Sequence, residues 1–193
     1  MASNDETHRK RCRRYDVLGH AHYVTFSCYH RQPFLSKERP IGWLVDAIDS
    51  ARVKAPFDLW AYIIMPEHVH LLLLPHERVQ ISAVLHAIKL PVSRRALNWA
   101  KNHSPEALAR MRHMTSGGQV SYRFWQRGGG YDRNIWTVEE LAEKVHYMHA
   151  NPVRRGLVSH PRQWRWSSWR AWHEGIPEPL KVDRESFPML QRK

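Results

Sequence analysis

Two imidazoles stand two residues apart in Met65-Pro66-Glu67-His68-Val69-His70-Leu71, just ahead of a run of leucines. Along an extended strand successive side chains alternate, so His68 and His70 project from one face while Val69, Leu71 and Leu73 project from the other. The pair is arranged to chelate. A second reactive set lies about eighty residues later, where Lys144, Tyr147 and Asn151 fall at i−3, i and i+4 of a helical pattern. That spacing shares one flank of a helix, with about 5–6 Å between neighbouring Cβ atoms. Two imidazoles and the neutral oxygen of Asn151 could together hold one divalent ion and leave positions open for phosphate oxygens and water. Such a donor set suits Mg²⁺ or Mn²⁺. Zinc remains chemically allowed, in an open catalytic site rather than a closed structural one, because no thiolate is at hand. A phenol with its ordinary pKa of ~10 is a weak nucleophile, yet an aligned and deprotonated Tyr147 can attack a metal-polarised phosphodiester. The phosphotyrosine product conserves the phosphodiester energy, so a free hydroxyl can reverse the attack and rejoin a strand. Either half alone is weak, since an isolated H-x-H in a chain with 14 histidines is usually ordinary polar sequence.

Composition points to the same kind of partner. The 193 residues carry 30 Lys plus Arg against 18 Asp plus Glu, a net charge of +12 spread along the chain, which favours a polyanion. Nucleic acid fits better than a membrane, because no apolar run approaches the ~20 residues of a spanning helix. The polar, basic N-terminus also lacks the apolar core of a secretion signal. A cytoplasmic protein, nucleoid-associated when bound to DNA, is expected. Cys12 and Cys28 are too few for a disulfide framework and are expected to be reduced.

The elements that must position these groups follow from periodicity. Residues 20–28 alternate in a β-branched and aromatic context and form a first strand. Residues 36–54 form a helix with Pro40 in its first turn and a stripe of Ile41, Leu44, Val45 and Ile48. Residues 57–65 and 68–74 are two strands joined by the Pro66-Glu67 turn, too short for anything but antiparallel pairing. Residues 79–101 are helical, kinked or split at Pro91. A short helix is allowed over residues 105–114, and residues 120–126 are a fourth strand. Thr137 and Glu140 form a capping box at the start of the helix that carries Tyr147, which Asn151-Pro152 ends or bends. Gly156 suits a C-cap, and the Trp-rich stretch from Trp164 packs on the sheet. The order implies an α+β fold, a ferredoxin-like antiparallel sheet with helices on one face. Residues 1–14 form a basic flexible arm, residues 15–173 the domain, and residues 174–193 a loosely held tail.

The block from Met65 to Leu72 resembles the HUH motif of single-tyrosine transposases. Phe124-Trp125-Gln126-Arg127, Tyr131-Asp132-Arg133, Tyr147-Met148-His149-Ala150-Asn151-Pro152 through Val158, and Trp164-Arg165-Trp166-Ser167-Ser168 resemble the REP-associated tyrosine transposases. The resemblance implies a ferredoxin-like HUH nuclease acting on single-stranded DNA. In it His68 and His70 are metal ligands, Asn151 is the third ligand, and Tyr147 is the nucleophile that bonds the 5′ phosphate. It also implies palindromic targets that fold into hairpins beside a short guide sequence. Lys89, Arg94, Arg95, Arg154 and Arg155 are candidate contacts to the DNA backbone, with no motif fixing their roles. Glu67 is assigned to turn chemistry rather than to a base. A monomer without an obligate protein partner is expected, a dimer being the alternative.

Two other functions compete with this enzyme. One is a non-catalytic protein that binds DNA or RNA hairpins without cutting. The other is a histidine-rich structural metal protein, which would need stoichiometric zinc.

Overall fold

The structure, a computed structural model, describes residues 19–128 and 130–188. The expected basic arm over residues 1–14 lies outside them. Strand β1 (Ala21–Ser27), helix α1 (Glu38–Lys54), β2 (Phe57–Ile64), β3 (His68–Pro75) and helix α2 (Ile81–His103) come first. Helix α3 (Pro105–Met111), β4 (Arg112–Met114), β5 (Val120–Tyr122), β6 (Tyr131–Ile135), α4 (Val138–Arg154) and α5 (Trp169–Glu174) follow. Strands β2-β3-β1-β6 pair in that order, all antiparallel, and with α1 and α2 they make a ferredoxin-like βαββαβ plait.

Alternation along the strands divides the side chains between two cores. Val24, Phe26, Tyr62, Ile64, Val69, Leu71 and Leu73 pack with Leu44 and Ile48 of α1 and Val84 and Ile88 of α2. Tyr23, Ala61, Ile63 and Leu72 pack with Leu141 and Met148 of α4 on the other face. Helices therefore cover both faces, not one as the sequence suggested. The first face is already filled by α1 and α2, so the apolar stripe of α4 must find its own surface. Each fully buried aliphatic or aromatic side chain contributes ~1.5–3 kcal/mol, which makes leaving either face bare costly.

Three local expectations change. Both prolines lie inside continuous helices, Pro91 in α2 and Pro152 in α4. Each removes one N–H donor from its helix, but the buried neighbours Ile88 and Val92, and Met148 and Asn151, hold the backbone on either side. Helix α4 runs past Pro152 to Arg154, and Gly156 just beyond it, as its sequence suggested, closes the end: its φ of 68° lets Leu157 N–H reach the Pro152 carbonyl at 2.9 Å. Within residues 120–126, β5 pairs only with β4 in a separate hairpin, and Trp125 makes an isolated bridge to Cys28. The fourth strand of the main sheet is β6.

Strand β6 starts at a close approach. Gly130 has φ of 74°, and a Cβ there would stand 1.9 Å from the Thr25 carbonyl oxygen of β1. The outer edge of β2 is covered by the tryptophan-rich segment after α4. Ile64 N–H donates to the Trp166 carbonyl at 2.8 Å, Ser168 N–H to Tyr62 at 3.0 Å, and the Trp172 indole to Trp60 at 2.9 Å. Over its described residues, 174–188, the tail expected to be loosely held is fastened to the same strand. Leu180 and Val182 are buried, and Asp183 exchanges two hydrogen bonds with the backbone of Leu59, both at 2.8 Å.

Candidate active site

The end of β3 and one flank of α4 meet over the second face of the sheet. Because His68, His70 and Leu72 share a pleat face, the leucine packs under α4 while the two imidazoles stand beside it. On β1 the same parity brings Thr25 and Ser27 alongside, Thr25 being paired with His70 and Ser27 with His68. These residues, with Arg31, Tyr147, Asn151, Arg154 and Arg155, line a cleft of about 410 Å³.

Hydrogen bonds set the orientation of both rings. His68 Nδ1 donates to Glu67 Oε1 at 2.9 Å. His70 Nδ1 lies 2.7 Å from Thr25 Oγ1 and 2.8 Å from the Tyr23 hydroxyl. Asn151 Nδ2 donates to His70 Nε2 at 3.2 Å, so that nitrogen is an acceptor and the ring proton sits on Nδ1. Two acceptor nitrogens, His68 Nε2 and His70 Nε2, then face each other at 3.0 Å. Burial, and secondarily the neighbouring His68, lowers the His70 pKa to about 3. Burial also lowers that of His68, against the opposing pull of Glu67. Neither ring readily supplies a proton to share.

Converging lone pairs of this kind are what a cation relieves. Two nitrogens bound at ~2.1 Å and at right angles on an octahedral ion stand about 3 Å apart, which fits the observed pair. Among the described residues no three His, Cys, Asp or Glu side chains converge as a ready metal cage. The available donors are two imidazoles and a carboxamide, which reaches the ion through Oδ1 when the amide is turned over.

Tyr147 lies one helical turn before Asn151 on α4. Its ring stands 6.2 Å from the His70 ring, edge to face, and the Arg154 guanidinium lies 5.3 Å from its centroid. It is 41% exposed and lines the cleft. The helix begins where Thr137 accepts from Glu140 N–H at 3.1 Å. Glu140 reaches back to Trp136 N–H rather than to Thr137, a capping box displaced by one residue.

The structure sorts the expected basic residues into two groups. Arg154 and Arg155 line the cleft. Lys89, Arg94 and Arg95 lie on α2, which packs against the opposite face of the sheet. Lys89 donates to the Gly128 carbonyl at 3.1 Å and lies over Phe26, and Arg95 pairs with Asp46 at 2.8 Å. Thr25, Ser27 and Arg31 line the cleft and escaped sequence reasoning, and Glu67 beside it was assigned to the turn. Arg31 comes from the loop after β1, where nothing in the local pattern marks it. Glu67 is buried and accepts from both His68 and Arg155, which, despite the upward push of burial, hold its carboxyl below the usual range. Its position next to the histidines was the available signal.

The match to a family model gives this geometry its context. Residues 17–128 match the family described as IS200-like transposase. A solved structure of a REP-associated tyrosine transposase bound to a REP hairpin is similar in fold at 20% identity, with a TM-score of 0.63, covering 94% of this chain and 96% of that one. Another, a Deinococcus radiodurans R1 protein provisionally assigned as a transposase, is 21% identical over 74% of this chain and 96% of its own, with a TM-score of 0.44. No curated protein gives a significant match. No helix among the described residues is long and apolar enough to cross a membrane. The family match spans more than half of the 193 residues and includes the histidine strand, and the chain belongs to the IS200-like transposase family.

Proposed function

We propose that this chain cuts and rejoins single-stranded DNA at hairpin-forming repeats, as a REP-associated tyrosine transposase acting in the cytoplasm. The observation that carries this reading is the convergence of His68 and His70 Nε2 at 3.0 Å beneath a helix that presents Asn151 and Tyr147 to the same cleft. In the forward step the Tyr147 oxygen gives up its proton and attacks phosphorus, the bond to the 3′ oxygen breaks, and that oxygen leaves as a hydroxyl. A 5′-phosphotyrosine link remains, and attack by a 3′-hydroxyl of the same or another strand reverses it. Mg²⁺ or Mn²⁺ held by His68, His70 and Asn151 would polarise the phosphoryl oxygens. Arg154 and Arg155 hold the flanking phosphates by charge-assisted hydrogen bonds. Both halves of the site belong to one chain, which supports action as a monomer.

The test is a hairpin oligonucleotide with single-stranded flanks incubated with protein and Mg²⁺ or Mn²⁺. A covalent adduct that survives denaturant and disappears with EDTA is expected. Hairpin affinity unaffected by His68→Ala, with no adduct under any divalent metal, would establish the binding protein instead.

Glu67 enters this mechanism as a positioning residue. Glu67→Gln keeps the shape but removes the charge that orients the His68 ring and pairs with Arg155. Loss of such an outer partner typically costs about 10–100-fold in metal affinity, which calorimetric titration with Mn²⁺ will read. The thermal midpoint serves as the control for folding. Unchanged Mn²⁺ affinity removes Glu67 from this role.

A further inference from the structure

On the face of the sheet away from the cleft, α1, α2 and α3 leave a groove of about 530 Å³ between them. Its floor is aromatic: Trp43 of α1 and Trp99 of α2 lie 6.5 Å apart, tilted by 56°, and Phe34 stacks on Phe124 beside them. Its rim is cationic. Arg39 lies 5.1 Å from the Trp99 ring centroid, Arg110 lies 5.9 Å from that of Phe34, and Lys37 stands at the start of α1. No acidic side chain lines the groove, and neither Arg39 nor Arg110 forms an ion pair with a carboxylate among the described residues. Aromatic faces edged by unneutralised cations match the chemistry of an unpaired nucleotide, whose base stacks and whose phosphate seeks a positive charge.

The groove and the cleft share one loop. Arg31 lines the cleft and Pro33 lines the groove, so the two are joined by a piece of chain no longer than about 7 Å. That loop is fixed to the turn ahead of His68, through Cys28 N–H to the Glu67 carbonyl and Leu35 N–H to the Pro66 carbonyl, both at 2.8 Å. The end of the loop that lines the cleft and the end that lines the groove are thereby held in fixed relation.

We propose that this groove is a second single-stranded DNA subsite, which takes an unpaired base against Trp43 and Trp99 and its phosphates on Lys37, Arg39 and Arg110. The proposal rests on the reading of the chain as an enzyme of single-stranded DNA. Its test needs no cleavage, so the two can fail separately. Full-length Tyr147→Phe protein is mixed with fluorescein-labelled oligothymidylate carrying 5-iodouracil, with and without the added substitutions R39E and R110E. Anisotropy should show affinity falling about tenfold or more with the charge reversals. Photocrosslinks should map to the peptides containing Trp43 or Trp99. Both arginines are exposed, and an unchanged thermal midpoint confirms that the variant folds. Equal affinity for the two proteins, or crosslinks confined to the cleft, overturns the proposal. Self-association in sedimentation that R39E and R110E abolish, with oligothymidylate affinity intact, assigns the groove to a second copy of the chain and overturns it equally.

Discussion

Tyr147→Phe should eliminate the covalent DNA adduct and strand transfer that the proposed function predicts, while hairpin binding should stay at the level of the parent protein. The substitution deletes one oxygen and keeps the ring. The edge-to-face contact with His70 at 6.2 Å and the Arg154 guanidinium at 5.3 Å both engage the ring, so the cleft should hold its shape. At 41% exposure the residue contributes little to the core. What disappears is the proposed nucleophile, and removing a nucleophile of this kind should lower turnover by roughly 10⁴–10⁶-fold. Two other tyrosines lie close enough to serve as comparators. Tyr23 touches His70 Nδ1 but is buried, and burial pushes its hydroxyl pKa upward, so it cannot meet a phosphate. Tyr131 is exposed on β6, 6.2 Å from Tyr23, and Tyr131→Phe should cleave normally. Denaturing electrophoresis of the mixtures decides the matter: an adduct persisting in Tyr147→Phe, or lost only in Tyr131→Phe, ends the assignment.

Gly130→Ala is expected to be the most damaging of the glycine-to-alanine substitutions among the described residues. The new methyl carbon would sit 1.9 Å from the backbone oxygen of Thr25, at a φ of 74° that side chains with a Cβ rarely adopt. Backbone, not a flexible side-chain tip, is in the way, so β6 must lift away from β1. The cost should exceed the ~0.5–3 kcal/mol of most point substitutions and lower the thermal midpoint by roughly 10 °C. Chemistry suffers as well, because Thr25 is the residue whose hydroxyl orients His70 at 2.7 Å. Adduct formation at a temperature where the variant is still folded should therefore fall. Gly42→Ala in α1, where a Cβ meets nothing within 4 Å, should be neutral or slightly stabilising. An unchanged midpoint for Gly130→Ala in differential scanning calorimetry would contradict the close approach.

The parts legible in the sequence were those set by one dominant local preference. The parity of His68 and His70 against Val69, Leu71 and Leu73 follows from the pleat, and the two sets do enter different environments. The Thr137 cap and the apolar positions Leu141 and Met148 likewise mark α4. Strand β6 was not legible because Asp132, Arg133 and Asn134 are poor strand formers. Asp132 and Asn134 are nevertheless buried, Asp132 bonding His22 of β1 at 2.9 Å. Only tertiary pairing could reveal that. Pro91 and Pro152 do not split or end their helices, since their local cost is set against packing that the sequence does not display. Of the basic residues, Arg154 and Arg155 follow Tyr147 by two turns of one helix and so reach its cleft. Lys89, Arg94 and Arg95 carry the same charge on a helix that the topology sends to the other face.

The segment that closes the β2 edge begins well beyond residue 128, where the family match stops. An open strand edge offers unpaired N–H and C=O groups to any passing strand, and proteins cover such edges to avoid joining end to end. Residues 164–168 and 180–187 perform that covering here, through the backbone of Leu59, Tyr62 and Ile64. The unit that folds is thus longer than the unit recognisable by family likeness. A truncation drawn at the homology boundary would discard α4 with its tyrosine and also turn β2 into a template for aggregation.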